Sequence, residues 1–219
     1  QHVAAQRDLA GHRDAAPHRP VGEDGQHRGG QRDPGRRAVL GDRALGQVDV
    51  QVVLLENLAR DGTAARLART ASKEAVLFIP SAQGLNGFVD DKLHELAAAG
   101  FTALAWDPFH SVPNLPADQR SKHTDTVQQD PLVQQEHLRW LDFLQKDCGA
   151  ERIGVLGFCM GGRICYLAAT AVKDVQASAM FYGGNVFAQR GPVPSPFARS
   201  ADMHCPLIGF FGADDTNPS

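Results

Sequence analysis

The ten residues Ile153-Gly154-Val155-Leu156-Gly157-Phe158-Cys159-Met160-Gly161-Gly162 constrain this chain more than any other feature. A short apolar strand runs into a glycine-rich turn and then into a segment, Arg163 to Val172, that reads as helix. A turn this tight needs small neighbours, because a side chain at 157 or 161 would collide with the adjoining strand or helix. Cys159 would sit at the apex on a strained backbone with its side chain aimed outward. The N–H groups and positive dipole end of the helix would point at its thiol, and both favour the reactive thiolate. Phosphate-binding turns also join a strand to a helix, but this one lacks G-x-G-x-x-G and a G-K-[ST] ending. A cysteine here could also be a small core residue. Cys148, Cys165 and Cys205 have no such setting and read as packing residues.

Around that turn, strand and helix signals alternate. Ala75 to Pro80 is a short apolar run with a proline stop, as a buried parallel strand should be. Val89, Leu93, Leu96 and Ala97 recur at helical spacing, and Gly100 suits the cap. Thr102 to Trp106 reads as strand, and Val133, Trp140, Leu141 and Leu144 mark a helix ending near Cys148. Ala177 to Phe181 and Leu207 to Phe211 supply two more strands. Strands separated by helix-length segments imply a mostly parallel sheet with helices on both faces, an α/β fold. Ahead of these, Val50 to Leu55 is β-prone and Asp61-Gly62 is a turn signal, so a leading hairpin or edge strand is expected.

The first 48 residues differ from the rest. Every Phe, Trp, Tyr and Ile of the chain lies at or beyond Phe78, and residues 1–48 are rich in His, Arg, Gly, Asp and Gln. Such a segment cannot offset its ordering entropy by burial, so 1–48 is expected to be disordered or extraneous and 49–219 to form the domain. A net charge of −3 with 21% charged residues does not suggest a nucleic-acid partner. No apolar run approaches the roughly 18 residues of a membrane span. Four cysteines without a CxxC pair or metal-ligand spacing fit a reducing compartment, with cytoplasm as the default. The chain starts at Gln1 without an initiator and stops at Ser219, which reads as a fragment at both ends.

In α/β-hydrolases, whose nucleophile occupies such an elbow, an acid and then a histidine follow along the chain. The acid belongs in the turn after a later strand. Here that is Gly212-Ala213-Asp214-Asp215-Thr216-Asn217-Pro218, leaving Asp214 or Asp215 as candidates. The sequence resembles the dienelactone hydrolase family over about residues 50 to 219. Gly157 to Gly162 matches its G-x-C-x-G-G elbow, Phe181-Tyr182-Gly183 a later strand end, and Gly212 to Pro218 its G-x-D-x-x-x-P turn. Gln83-Gly84-Leu85-Asn86 looks like its F-G-x-N segment, and Asp107-Pro108-Phe109 like its D-L-[FY].

The resemblance implies an α/β-hydrolase fold, C-terminally incomplete, and hydrolysis of small esters or enol-lactones through an acyl-enzyme. Cys159 would be nucleophile and Asp214 the acid, with the backbone N–H groups of Met160 and Ala82 as oxyanion hole. Tyr182 aligns with a pocket-lining position. Ser81 stands where the family carries a glutamate that contacts the thiol. No metal or cofactor is implied. His110 and His204 read as surface or structural residues. The triad histidine is therefore expected to be absent and the 219-residue chain to turn over poorly. A broader carboxylesterase and a non-catalytic binding protein on a hydrolase scaffold are the alternatives.

Overall fold

The computed structural model describes residues 51–55, 63–112 and 114–216. These fall within one compact unit, Ala44–Ser219. The expectation for residues 1–48 and the turn at Asp61-Gly62 lie outside the described residues. The strands are β1 (Gln51–Leu55), β2 (Ala65–Arg69), β3 (Glu74–Ile79), β4 (Thr102–Trp106), β5 (Arg152–Phe158), β6 (Ala177–Phe181) and β7 (Leu207–Phe210). The helices are α1 (Gly87–Ala98), α2 (Thr124–Val127), α3 (Asp130–Lys146) and α4 (Met160–Ala171). Short 3-10 helices occupy Ala117–His123 and Phe197–Asp202.

The strands form one sheet in the order β1-β2-β4-β3-β5-β6-β7. β2 runs antiparallel to both neighbours, and β4, β3, β5, β6 and β7 are mutually parallel. Parallel strands deliver their carboxyl ends to one edge, so the chain after β3, β5, β6 and β7 emerges on the same side. That edge carries the site.

Alternation along the strands splits the core between two faces. Ala75, Leu77 and Ile79 of β3 join Ile153 and Val155 of β5 beneath α3 and α4, where Trp140, Leu141, Leu144, Ile164 and Leu167 are buried. Phe78, Ala103 and Ala105 point the other way, toward Val89, Leu93 and Ala97 of α1. Each buried leucine of this kind contributes about 1.5–3 kcal/mol.

The expected leading hairpin is present, β1 pairing antiparallel with β2, but the sequence reading did not place its second strand. Ala65-Arg66-Leu67-Ala68-Arg69 carries two arginines and no β-branched residue, so local propensity gives it no support. Pairing with β1 on one side and with β4 on the other, in the register Leu67↔Leu104, makes it a strand. Arg66 then reaches α1, donating to Asp90 Oδ1 at 2.6 Å and to the Asn86 carbonyl at 2.9 Å. The expected helix starts also shift toward the N-terminus. α4 begins at Met160 rather than Arg163, and α3 already starts at Asp130.

One buried group in this scaffold titrates unusually. His137 of α3 is fully buried, packs edge-on against Trp106 with ring centroids 6.4 Å apart, and neither ring nitrogen has a hydrogen-bond partner among the described residues. Its neighbour Glu136 instead faces His110, at 3.6 Å. Burial lowers the His137 pKa from 6.5 to about 4. Between these values the unfolded chain takes up a proton that the folded protein refuses. Stability is therefore full above pH 6.5 and declines as the pH falls toward 4. Urea melts across this window should show wild-type stability falling more steeply than that of His137→Leu, by up to about 1.4 kcal/mol per pH unit.

Candidate active site

Between β5 and α4 the chain turns on Cys159, whose φ of 53° and ψ of −113° place a non-glycine residue in the left-handed half of the map. Such a conformation costs on the order of 1–3 kcal/mol and persists only where the surroundings hold it. Two backbone hydrogen bonds do so. Cys159 N–H donates to the Phe181 carbonyl at 2.9 Å, and its own carbonyl accepts from Arg163 N–H at 3.2 Å. The result is an exposed thiol above the edge of the sheet.

Glycines make the turn possible by close backbone approach. A Cβ on Gly157 would lie 2.5 Å from the Gly161 carbonyl oxygen, and one on Gly161 would overlap the carbonyl of Ile79. A Cβ on Gly162 would come within 2.8 Å of Gly183 Cα and 2.9 Å of the Phe181 carbonyl. The expected collision of 157 and 161 with adjoining strand or helix thus takes concrete form, and Gly162 and Gly183 extend it to β6.

Two hollows open beside Cys159, and Ala82 and Tyr182 line both. One, of about 190 Å³, is polar: Thr124, Gln128, Arg163, Asn185 and Arg190 share it with Cys159 and Met160. The other, of about 660 Å³, is bordered by Ser81, Gln83, Phe88, Asp118, Ser121 and Phe158. Ser81 and Ala82 belong to a turn closed by Gly84 N–H donating to the Ser81 carbonyl at 2.9 Å. Ser81 Oγ faces its own turn, accepting from Gln83 N–H at 3.3 Å. Arg120 clamps this loop by donating to the Gln83 carbonyl at 2.6 Å. Tyr182 also has a positive φ, 41°, and is held by its N–H donating to the Phe210 carbonyl at 2.7 Å. Partial burial, then the neighbouring Cys159, raise its phenol pKa.

Of the residues singled out from the sequence, Cys159, Met160, Ala82, Ser81 and Tyr182 therefore converge. Asp214 does not join them. It is exposed in the turn after β7, two strands from β5 at the same edge, roughly 10 Å across the sheet, and lines neither hollow. Asp215 N–H closes that turn on the Gly212 carbonyl at 3.2 Å. His204 lies at the far end of α4, its ring against the Val172 carbonyl at 2.5 Å, and His110 packs edge-on to Trp106. Among the described residues no histidine lines either hollow, and no group of three or more His, Cys, Asp or Glu could hold a metal ion. No described helix is long and apolar enough to cross a membrane.

The sequence reading missed the arginines. Arg163 is 1% exposed and grips Asp130 with both terminal nitrogens, at 2.7 and 3.1 Å, while also donating to the carbonyls of Asn185 and Ala188. This clasp ties the first turn of α4 to the start of α3 and to the loop after β6. Its signal was available, because Arg163 is the only charged residue between Met160 and Ala171, and a lone charge in an apolar helix demands a partner. Arg190 sits close by, bonded to Gln128 and paired with Asp125 at 2.9 Å. Burial, then Arg163, lower its pKa. Nothing in its loop sequence announced it.

The strand order with one antiparallel strand, and a strained residue between the fifth strand and the next helix, define an α/β-hydrolase fold. Solved structures agree. One from Klebsiella pneumoniae subsp. pneumoniae, named for dienelactone hydrolase, superposes with a TM-score of 0.67 at 21% identity, covering 77% of this chain and 75% of that one. A dienelactone hydrolase from Anabaena variabilis gives 0.56 at 16% identity, with 76% of each chain covered. Residues 62–218 match the model of the dienelactone hydrolase family, and the chain belongs to that family. A Bradyrhizobium relative, named a probable 2-oxo-3-(5-oxofuran-2-ylidene)propanoate lactonase, is 31% identical over 160 residues. The match covers 69% of this chain and 63% of the relative, so the chain spans less than two thirds of that protein.

The close approach at Gly162 is open to test. Gly162→Ala should lose at least about 1–3 kcal/mol through overpacking against β6, lowering the Tm in a thermal melt. Gly87→Ala, at a helix start with nothing within 4 Å, should stay within about 1 kcal/mol of wild type.

Proposed function

We propose that this chain carries the site of a hydrolase for small esters or enol-lactones, with Cys159 as nucleophile. The observation that carries the reading is the strained, exposed Cys159 at a helix start, opening on two hollows large enough for a small ester. Sγ attacks the carbonyl carbon, and the C–O double-bond pair moves to oxygen. The N–H groups of Met160 and Ala82 stabilise that oxyanion. Collapse of the tetrahedral adduct expels the alkoxide and leaves a thioester on Cys159, which water then hydrolyses to the acid and the free thiol. Asp214 is assigned the acid that orients a histidine general base, supported by its place after β7 on the carboxyl edge.

Arg190 in the polar hollow suits an anionic group on the substrate, as in the propanoate of the Bradyrhizobium relative's name. Four free cysteines support a reducing compartment, and we assign the cytoplasm on that basis. A broader carboxylesterase is the second reading, favoured by the large hollow beside Phe88 and Phe158.

Iodoacetamide followed by peptide mapping should label Cys159 well ahead of the other thiols. Burial raises the pKa of Cys148, Cys165 and Cys205, most strongly at fully buried Cys165. With p-nitrophenyl acetate in excess, the 219-residue chain should release one equivalent of nitrophenol and then stall. No described histidine stands at the site to activate water, and loss of such a base costs on the order of 10³-fold or more. Mass spectrometry should place the acetyl group on Cys159, and Cys159→Ala should show no burst. Labelling that favours Cys148 or Cys205 would overturn the assignment of the nucleophile.

A further inference from the structure

The two hollows flanking Cys159 differ in chemistry, and the larger one has no assigned occupant. Its floor is aromatic. Phe158, the last residue of β5, meets Phe88 edge-to-face at 5.3 Å and 84°, and Tyr182 at 5.9 Å. Phe88 is 46% exposed and Tyr182 45% exposed, so two large rings stand in solvent beside the nucleophile. Single exposed aromatics are ordinary, but a cluster walling a hollow is not.

These rings are also held in place. On the sheet, Phe158 stacks on Phe181 at 4.6 Å and 19°, and Phe181 stacks on Phe210 at 4.6 Å and 14°. Phe88 lies in the first turn of α1, which Asn86 caps by accepting from Val89 N–H at 3.1 Å and which Arg66 fastens to β2. Lys92 Nζ sits 5.5 Å from the centre of the Phe88 ring. A surface built on a strand end and a helix start loses little entropy when a ligand settles on it.

Charge separates the hollows further. The smaller contains Arg190, whereas the rim of the larger carries the Asp118 carboxylate and the neutral Ser81, Gln83 and Ser121. Arg190 is already paired with Asp125 at 2.9 Å, so the difference rests on the Asp118 carboxylate, which makes the second hollow the less suited of the two to an anionic group. We infer that Phe88 and Phe158 are specificity-determining residues that receive an uncharged alkyl or aryl substituent of the ester, on the side of Cys159 away from Arg190. This rests on the proposed role of Cys159 and adds to it the class of group that the larger hollow selects.

Acylation of Cys159 is the readout, since it needs no turnover. Each methylene packed against the rings should speed acylation about fourfold, so p-nitrophenyl butyrate, with two more methylenes, should gain about sixteenfold over acetate, after correction for the same pair reacting with N-acetylcysteine. In Phe88→Ala that corrected ratio should fall to near one, while Phe88→Leu should keep the butyrate preference and lose the preference for benzoate. Phe187→Ala, an exposed ring that lines neither hollow, should leave the ratio as in wild type. Trifluoroethyl acetate against p-nitrophenyl acetate tests the alcohol side. A Phe88→Ala effect confined to that pair would place the leaving group, rather than the acyl chain, in this hollow. Thermal melts of each variant exclude unfolding as the cause. An unchanged preference in folded Phe88→Ala, in both series, overturns the inference and leaves the nucleophile assignment standing. Failure of every ester to acylate Cys159 in the wild type overturns both.

Discussion

Backbone-to-backbone contact at the turn between β5 and α4 is the constraint on which the rest of the site depends. Gly161 lies directly against the Ile79 carbonyl at the end of β3, and Gly162 against Phe181 and Gly183 at the end of β6. Helix α4 can therefore start flush with the sheet. Only this arrangement leaves Cys159 with a positive φ, its carbonyl tied into α4 and its N–H to Phe181.

Burial of charge reinforces the same turn. Arg163 begins its reach one helical turn after Cys159 and ends on Asp130, with the carbonyls of Asn185 and Ala188 accepting from Nε and Nη2. A buried pair of this kind gains little net stability over an apolar one, because desolvation opposes the attraction. Its consequence is positional. The loop after β6, which supplies Asn185 and Arg190 to the polar hollow, is fastened to the helix that follows the Cys159 turn. Removing either partner would leave the other charge buried and unpaired, so the two sides of the hollow hold together or fail together.

The site is thus asymmetric by construction. On one side, helix ends and arginines converge in a small polar hollow. On the other, aromatic side chains along the carboxyl ends of β5 and β6 and the start of α1 form a larger apolar one. Cys159, Ala82 and Tyr182 form the ridge between them. A small molecule lying across that ridge would meet different environments at its two ends.

Much of this was legible in the residues because it depends on neighbours in sequence. Gly157 to Gly162 spell out the turn, the apolar runs at 75–79, 102–106 and 177–181 read as buried strands, and the helical spacing of Val89, Leu93 and Ala97 marks the inner face of α1. What was not legible depends on residues far apart along the chain. β2 is a strand because β1 and β4 lie on either side of it. Arg163 finds Asp130 33 positions away, and Phe88 meets Phe158 only once α1 is laid across the sheet. Asp214 shows the same limit, since its turn motif is plain in sequence while its exposed place two strands from Cys159 is a matter of strand order. The sequence by itself determined the α/β class and the glycine-rich turn at Cys159, because local sterics and periodicity act over a few residues. The tertiary structure decided which charges are paired and which side chains wall the two hollows, because those contacts exist only after the sheet is ordered.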